Sequence, residues 1–361
     1  MATDAPPSGR VFIAAVGKAA PSMALGAHDA LGADVAHTLV ITRERHAAPE
    51  LLARGNVELL ESAHPVPDER SLAAGARLLE WVEQLPAAAT PLFLISGGAS
   101  SLVEVLEDGA SFSQLLQLNT QGLAAGIPIG ELNARRRALS RIKGGGLAAR
   151  LRGRAARALF ISDVPGNDPG VIGSGLMGPA PGGDQVRRAI IASCDDAVSA
   201  VAAEAQRRGF TVHANGARFD GPATRLASRF AHELRLLDAE VFVWGGESTV
   251  QLPPAPGHGG RNQHLALAAA KLIAGQTDLL LLAAGTDGTD GVTEDAGALV
   301  DADSCARLAL AGFDADECLR RADSGSALAA AGDLVHTGPT GTNVGDLVIG
   351  LKMTAARSRA R

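Results

Sequence analysis

The sequence predicts an α/β protein with two domains and a largely parallel sheet. Four short apolar runs each end in a loop of glycine with Ser, Thr or Asp. They are FLISGGASS (93–101), LFISDVPGNDPGVIGSG (159–175), VFVWGGESTV (241–250) and LLLLAAGTDGTDG (279–291). A buried strand followed at once by such a loop is typical of the carboxyl edge of a parallel sheet, where open α/β folds bind ligands. The length of 361 residues favours two domains or one large one.

Strand and helix patterns alternate along the chain, which is the pattern of an α/β fold. Residues 11–31 read as a strand, a glycine turn and an amphipathic helix, and HTLVITRE follows as a second strand. We predict a helix that ends at residue 85 with Ser71 as its N-cap, followed by a basic helical region at 131–151. Residues 187–210 are predicted to form a strand and then a helix, with Ser193 or Asp195 as the cap. A helix at 224–237 and a strand at 346–351 complete the predicted segments.

Composition excludes several classes of function. The net charge of −6 and a pI near 5.9 argue against a nucleic-acid-binding protein, and 3% aromatic residues leave few platforms for base stacking. The three cysteines form neither a CxxC pair nor a zinc spacing. The start MATDAPPSGR lacks an apolar signal core, and no apolar run reaches the length of a membrane span. We therefore expect a cytoplasmic enzyme that binds neither nucleic acid nor membrane.

Two of the four lysines lie in glycine-containing motifs, VGKAAPS and IKGGG. Lys18 follows a predicted strand directly, where a lysine can meet a phosphate or a carboxylate. The alternative is a surface lysine in a tight turn. The motif is neither GxxxxGK[ST] nor GxGxxG, so neither common nucleotide fingerprint occurs at this turn. Lys143 sits beside several arginines whose position near a helix end is explained by the helix dipole, although one of them could face a phosphate.

Two of the glycine loops combine anion-binding amides with oxygen ligands. SGGASS (96–101) offers backbone N–H groups and hydroxyls, and its alternative reading is an ordinary βα turn. Asp163 ends a predicted strand, a typical position for a Mg²⁺ ligand. A turn-forming role is the alternative, and it is stronger for Asn167 and Asp168 than for Asp163.

The second half of the chain repeats this combination. Arg261 opens a predicted helix after glycines, where a guanidinium can grip a carboxylate or phosphate through two hydrogen bonds. GTDGTDG (285–291) places Asp287 and Asp290 in a glycine loop after a strand, which suits a metal–phosphate site. A flexible acidic turn is the alternative. The loop TGPTGTN (337–343) adds hydroxyls and an amide that could orient a substrate.

Read in order, these motifs resemble the glycerate 2-kinase family. The matching elements are GKAA (17–20), HPVPD (64–68), SGGASS, LNARRRALSRIKGG (132–145), ISDVPGNDP, GGESTV, GGRNQHLALA, GTDGTDG and TGPTGTNVGDL, and together they span residues 11–350. Members combine an N-terminal glycerate-kinase domain with a small C-terminal MOFRL domain, and many were once labelled hydroxypyruvate reductases. The resemblance implies a Rossmann-like, mainly parallel sheet in residues 11–237, a smaller α/β domain with a mixed sheet in residues 238–351, and an active site in the cleft between them.

The resemblance also implies an activity and a set of roles. The family phosphorylates D-glycerate at its 2-hydroxyl with ATP and Mg²⁺. Lys18 would neutralise charge on the transferring phosphoryl group, Arg261 and the SGG-loop amides would hold the substrate carboxylate, and Asp287 would complete the catalytic set. The expected metal ligands are Asp163, Asp287 and Asp290, one of which could also accept the hydroxyl proton. The expected substrate- or nucleotide-binding residues are Ser96, Gly97, Gly98, Ser100, Lys143, Gly246, Glu247, Thr340 and Asn343.

Two rival hypotheses stay open. One is an NAD(P)-dependent hydroxypyruvate reductase. The lack of GxGxxG at the turn after the first predicted strand and the lack of an obvious catalytic His–Asp pair argue against it. The other is a degenerate paralogue that binds a small anion or nucleotide without chemistry. The sequence leaves the choice of hydroxy acid and of homo-oligomeric state open.

Overall fold

The computed structural model describes residues 9–46, 48–124 and 129–353. The chain divides into two compact units. The first extends to Ile191 and includes Gly341–Asn343, and the second comprises Ala192–Thr340 and resumes at Val344. Each unit is a sheet with helices packed against it, so the predicted α/β architecture with two domains is confirmed.

The first unit alternates strands and helices as the sequence predicts. Its strands are β1 (Val11–Val16), β2 (Val35–Arg43), β3 (Val57–Ser62), β4 (Thr90–Ile95), β5 (Ala156–Ser162) and β6 (Val186–Ser193). Its helices are α1 (Ala20–Leu31), α2 (Pro49–Leu52), α3 (Glu69–Glu83), α4 (Ala99–Leu102), α5 (Phe112–Ala124), α6 (Ile129–Ala138) and α7 (Gly146–Ala149).

The six strands form one sheet in the order β3-β2-β1-β4-β5-β6. The pairings that join β3, β2, β1, β4 and β5 are all parallel. The central strands β1 and β4 are buried along almost their whole length, as expected of parallel strands covered on both faces. Phe93, Phe160 and Leu39 lie in the core between this sheet and its helices. The loops after β1, β4 and β5 therefore emerge at the same edge.

Helix α3 begins earlier than predicted. The N-cap is Asp68, whose carboxylate accepts a hydrogen bond from the backbone N–H of Arg70 at 2.8 Å. Ser71 instead occupies the third helical position, and its hydroxyl accepts the N–H of Asp68 at 3.2 Å. The expected Ser71 cap is wrong because a reciprocal capping box forms around Asp68.

The second unit has a mixed sheet. Its strands are β7 (Val212–Ala214), β8 (Phe219–Pro222), β9 (Val241–Thr249), β10 (Leu279–Gly285), β11 (Gly297–Val300), β12 (Leu334–Val335) and β13 (Asp346–Lys352), in the order β12-β11-β10-β13-β9-β7 with β8 also paired to β9. Its helices are α8 (Cys194–Arg207), α9 (Ala223–Leu236), α10 (Arg261–Ile273), α11 (Ser304–Leu310), α12 (Ala315–Arg320) and α13 (Ser324–Ala331). Strands β7 and β8 run parallel to β9, and the other pairings are antiparallel.

The division between the units does not coincide with the boundary expected at residues 237/238. Residues 192–237 belong to the second unit because their helices complete its core. Cys194 and Val198 of α8 pack with strand β9, and Phe230 of α9 packs against Trp244 with ring centroids 4.5 Å apart and the rings tilted by 32°. Ser193 caps α8 by accepting the N–H of Asp196 at 3.4 Å, which decides between the two caps that the sequence offered.

The expected loop at GGESTV is wrong, since β9 continues as a strand to Thr249. Gly246 pairs with Asp346 of β13 on one side and with Phe219 of β8 on the other. A Cβ at Gly246 would lie 2.1 Å from the carbonyl oxygen of Phe219. Strand packing therefore explains the glycine at this position. Because Gly246 lies within a strand and not in a loop, the structure gives no support to its expected ligand-binding role.

Within the described ranges, every helix is too short or too polar to cross a membrane.

Candidate active site

In the first unit, the loop after β1 is attached to the loop after β4. The backbone N–H of Lys18 donates to the carbonyl of Gly97 at 2.9 Å, and the N–H of Ala19 donates to the hydroxyl of Ser96 at 3.0 Å. Gly17 has a φ of +135°, and a Cβ there would lie 2.1 Å from the Ser96 hydroxyl. Only glycine allows this approach. The contact fixes Lys18 beside the SGG loop, and the fully buried Ser96 serves to join the loops.

The third loop of this edge brings Asp163 to the same place. The side-chain amide of Asn343 donates to Asp163 Oδ2 at 3.0 Å. Gly97 packs directly on this pair, because a Cβ on it would lie 1.9 Å from Asp163 Oδ2 and 2.2 Å from Asn343 Nδ2. Three residues predicted from separate motifs therefore meet at the carboxyl ends of β4 and β5.

A cavity of about 170 Å³ opens beside the SGG loop. Its lining includes the cations Arg136 and Lys143, the hydroxyls of Ser100 and Ser101, and His64. Ser100 also shares a hydrogen bond of 2.8 Å with the hydroxyl of Ser174. Gly98 lines the cavity too, and a Cβ on it would lie 3.1 Å from both Lys18 and His64. The expected binding residues Gly98, Ser100 and Lys143 therefore share one cavity.

Lys143 is held by a glutamate that the sequence analysis did not single out. Its ammonium donates to Glu104 Oε2, and both side chains are almost completely buried, with exposures of 3% and 1%. The hydroxyl of Ser140 donates to the other oxygen of Glu104. Burial lowers the pKa of Lys143, and the negative charge of Glu104 opposes that change. The carboxylate thus favours the charged ammonium at the cavity wall.

In the second unit, Arg261 begins α10 as predicted but is engaged by two carboxylates. Nε donates to Asp346 Oδ2 at 2.7 Å and Nη2 to Asp346 Oδ1 at 3.1 Å, while Nη1 donates to Glu247. The Asp346 side chain is 2% exposed and that of Glu247 is 50% exposed. Burial opposes the charge of Arg261, but Asp346 and Glu247 outweigh it and raise the pKa of the guanidinium. Asp346 therefore fixes the orientation of Arg261, whereas Glu247 makes a solvent-accessible contact.

The carboxylate of Asp290 binds backbone N–H groups in the first turn of α10. It accepts the backbone N–H of Asn262 at 3.1 Å and that of Gln263 at 2.8 Å. Burial raises the pKa of Asp290 to about 7, although these hydrogen bonds act in the opposite direction. Two amides that could have bound a phosphate are therefore satisfied by this side chain. A metal-ligating role for Asp290 stays a prediction.

Asp287 and Thr340 lie together in the second unit. Asp287 Oδ1 accepts the N–H of Thr289 at 3.0 Å, and the N–H of Thr340 donates to the Asp287 carbonyl at 3.3 Å. A Cβ on Gly288 would lie 2.1 Å from the carbonyl oxygen of Gly338, so the two predicted loops touch here. Asp287 is 6% exposed.

The acidic residues do not form a complete metal cage. Among the residues that the structure describes, no three His, Cys, Asp or Glu side chains are grouped to hold a metal. Mg²⁺ is commonly bound through one or two carboxylates, with water and substrate phosphates completing its shell. Asp163 in the first unit and Asp287 in the second are each an oxygen donor of this kind, so each by itself suits Mg²⁺ bound together with a phosphate-bearing substrate.

Three side chains of these sites were missed by sequence reasoning. Glu104 and Asp346 pair with cations 39 and 85 residues away, and no local pattern signals such a contact. Asp346 had been read only as the first residue of a strand. His64 had a signal, since it belongs to the HPVPD motif, but no role had been assigned to it.

Comparison with known proteins gives two family matches. Residues 2–207 match a domain of unknown function, DUF4147, and residues 240–346 match the MOFRL family. A D-glycerate 2-kinase of Thermotoga maritima is 36% identical, with 95% of this chain and 90% of that protein covered. A glycerate 2-kinase of Pyrococcus horikoshii is 32% identical over 97% of this chain and 89% of its own length.

A solved structure and a differently named relative complete the comparison. The crystal structure of glycerate kinase from Thermotoga maritima superposes with a TM-score of 0.84 at 34% identity, covering 96% of this chain and 92% of that one. A protein of Agrobacterium vitis with a provisional name as a hydroxypyruvate reductase is 35% identical over 94% of this chain and 98% of its own length.

The fold and the two sites define the class of the protein: an α/β enzyme of two units with glycine-rich loops at the edges of its sheets. Within that class, the chain belongs to the glycerate 2-kinase family. Its members that are named glycerate kinases are phosphotransferases that act on a small molecule. The resemblance seen in the ordered motifs is confirmed.

The two carboxylates on Arg261 are expected to differ in their contribution to stability. Asp346→Asn should lower the free energy of unfolding by about 2–4 kcal/mol, because it breaks a buried, doubly hydrogen-bonded pair. Glu247→Gln on the same arginine should change it by less than about 1 kcal/mol, since that contact is half exposed. Urea unfolding of both variants measures the difference, and equal losses would contradict the assignment of Asp346 as the anchor.

Proposed function

We propose that this protein transfers the γ-phosphoryl group of ATP to the 2-hydroxyl of D-glycerate, giving 2-phosphoglycerate. The observation that carries this proposal is the 36% identity to a D-glycerate 2-kinase over 95% of the chain. The attachment of the Lys18 loop to the SGG loop supports it, because the lysine backbone is fixed at the ligand-binding edge of a parallel sheet.

The chemistry asks the protein for positioning and for charge stabilisation. In phosphoryl transfer, side chains need not form covalent bonds with the substrate. Catalysis comes from fixed charges around the transferring group. Lys18 would supply positive charge there. Asp163 would contribute an oxygen ligand to Mg²⁺, which when bound neutralises phosphate oxygens. Asp287 would accept the proton of the substrate hydroxyl as the bond to phosphorus forms.

Arg261 suits the phosphoryl group better than the substrate carboxylate. Its Nε and one N–H on each terminal nitrogen are already donated to Asp346 and Glu247. A guanidinium has five N–H donors, so one donor on each terminal nitrogen remains for an incoming oxygen. An anion approaching Arg261 competes with the half-exposed Glu247, while the buried Asp346 keeps the guanidinium oriented.

The test is a phosphorus NMR assay of the full chain with ATP, Mg²⁺ and D-glycerate. We expect a 2-phosphoglycerate signal, and we expect Lys18→Ala to lower kcat by about 10²–10³-fold because a fixed charge is removed. Lys271→Ala is the matched control, since this lysine is paired with Asp316 on the surface, and it should keep kcat within about twofold.

Other products would contradict the proposal in defined ways. A 3-phosphoglycerate signal would refute the regiochemistry. Reduction of hydroxypyruvate with NAD(P)H, without phosphoryl transfer, would establish the rival reductase. Nucleotide binding without transfer to D-glycerate or a related hydroxy acid would indicate a non-catalytic paralogue.

Gly97 gives a second test of the loop edge. Gly97→Ala would push Asp163 and Asn343 apart, because the new methyl group overlaps both side chains. We expect kcat to fall by at least about tenfold, while the free energy of unfolding falls by only about 1 kcal/mol because flexible side-chain ends can move away. Gly26→Ala is the matched control, since that helical position has open space and should be stabilised by about 0.5–1 kcal/mol. Unchanged kcat in Gly97→Ala would contradict the role of Asp163.

A further inference from the structure

We propose that the cavity beside the SGG loop receives the carboxylate of the hydroxy-acid substrate, with Lys143 as the residue that recognises it and Glu104 as the residue that positions Lys143. The inference rests on the proposed function and assigns one end of its substrate. It replaces Arg261, which the sequence had favoured for this contact.

The size of the cavity selects the kind of ligand. A volume of about 170 Å³ is well above the roughly 10–15 Å³ that a single water molecule needs by the same measure. That space accommodates a small hydroxy acid.

The charge of the cavity wall selects an anion. Among the described residues that line it, two are cations, Arg136 and Lys143, and none is a carboxylate. Ser100 and Ser101 add hydroxyls at the same wall. A hydroxy acid presents a carboxylate to the cations and hydroxyls to the serines, so both parts of the ligand have partners here.

Glu104 lies behind Lys143 rather than in the cavity. Its oxygens accept from the Lys143 ammonium, the Ser140 hydroxyl and the N–H of Val105, the last at 3.1 Å. An ammonium has three N–H donors. Within the described part of the chain, Lys143 Nζ uses one of them, on Glu104. The ammonium is therefore anchored from behind by one carboxylate and can donate to a second one in the cavity.

The pairing also explains why a lysine can be buried at this position. Burial alone favours the neutral amine, and Arg136 acts in the same direction. Glu104 opposes both effects. An ammonium that Glu104 orients in this way can bind a small carboxylate with little reorganisation. No comparable arrangement exists at Arg261, where two protein carboxylates already occupy the guanidinium.

The decisive experiment compares D-glycerate with D-glyceramide, whose amide replaces the carboxylate, in the ATP- and Mg²⁺-dependent assay. We expect the wild-type protein to favour D-glycerate by at least about 100-fold in kcat/KM, because the Lys143 ammonium pairs with the carboxylate of D-glycerate and not with the neutral amide. Lys143→Met should raise the KM for D-glycerate at least tenfold, leave the KM for ATP within twofold and reduce the preference to less than tenfold. A rise in the KM for ATP instead, or an unchanged preference, would overturn the proposal.

Two further variants separate recognition from folding. Lys143→Met alone leaves Glu104 buried and unpaired, which destabilises a protein strongly. The double variant Lys143→Met with Glu104→Gln removes both charges together and should show the same loss of preference in a folded protein. Lys271→Met, the same substitution at a surface lysine paired with Asp316, should keep the wild-type preference. Loss of preference in this control would overturn the assignment to Lys143.

Glu104→Gln tests the positioning role through pH. Among the described residues, Glu104 and Arg136 are the charged groups that act on Lys143, and His64 lines the same cavity. Removing the negative charge lets burial lower the pKa of Lys143 further, so the ammonium loses its proton at a lower pH. The KM for D-glycerate should therefore begin to rise at a lower pH in Glu104→Gln than in the wild-type protein. Parallel pH profiles would show that Glu104 is only structural and overturn its role.

Direct binding keeps this inference separate from the proposed function. If the wild-type protein forms no phosphoglycerate, the kinase proposal fails, and calorimetric titration with D-glycerate then tests the cavity by itself. Binding to the wild-type protein that is lost in the Lys143→Met/Glu104→Gln variant would support the carboxylate site. No binding to the wild-type protein, or equal binding to both proteins, would overturn it.

Discussion

The free-energy penalty of burying charge is the constraint on which the two candidate sites depend. Lys143, Asp290 and Asp346 all lie where water has limited access, and each is accompanied by a group of opposite charge or by hydrogen-bond donors. A buried ion is tolerated only when its partner has good geometry and the remaining polar atoms are satisfied. The carboxylates Glu104 and Asp346 meet this condition for the cations of the two sites, and they thereby set where each cation can present its remaining donors.

Glycine supplies the second requirement, which is close approach of backbone segments. Gly17 meets Ser96, Gly97 meets the Asp163–Asn343 pair, and Gly288 meets Gly338 at distances that leave no space for a Cβ. These contacts join loops that are far apart in sequence. The same residue type also appears where no ligand role follows, as at Gly246, whose absent side chain makes room for β8. A glycine-rich motif therefore indicates close packing first, and a ligand site only when polar side chains converge with it.

This distinction accounts for what the sequence could and could not predict. Strand-to-loop transitions after β1, β4, β5 and β10 were predicted correctly because a buried apolar run and the turn that follows it are local patterns. The GGESTV segment was not, because β9 is extended by pairing with β8 and β13, which is a non-local effect. The sequence likewise identified Lys143 and Arg261 but not Glu104 and Asp346. A cation in a glycine motif is visible locally, whereas its buried partner is defined only by the fold.

The identity of those partners changes how the cations should be interpreted. From sequence, Arg261 was the natural carboxylate receptor because its planar fork matches a carboxylate. In the folded protein the guanidinium of Arg261 already makes this two-hydrogen-bond contact with Asp346, and the contact fixes the orientation of the arginine. Lys143 has one anchored contact and faces a cavity without acidic side chains among the described lining residues. An ammonium can turn its remaining donors toward a small anion from several directions. The lysine is therefore the better receptor for a substrate carboxylate, and the arginine is better suited to respond to charge that develops during phosphoryl transfer.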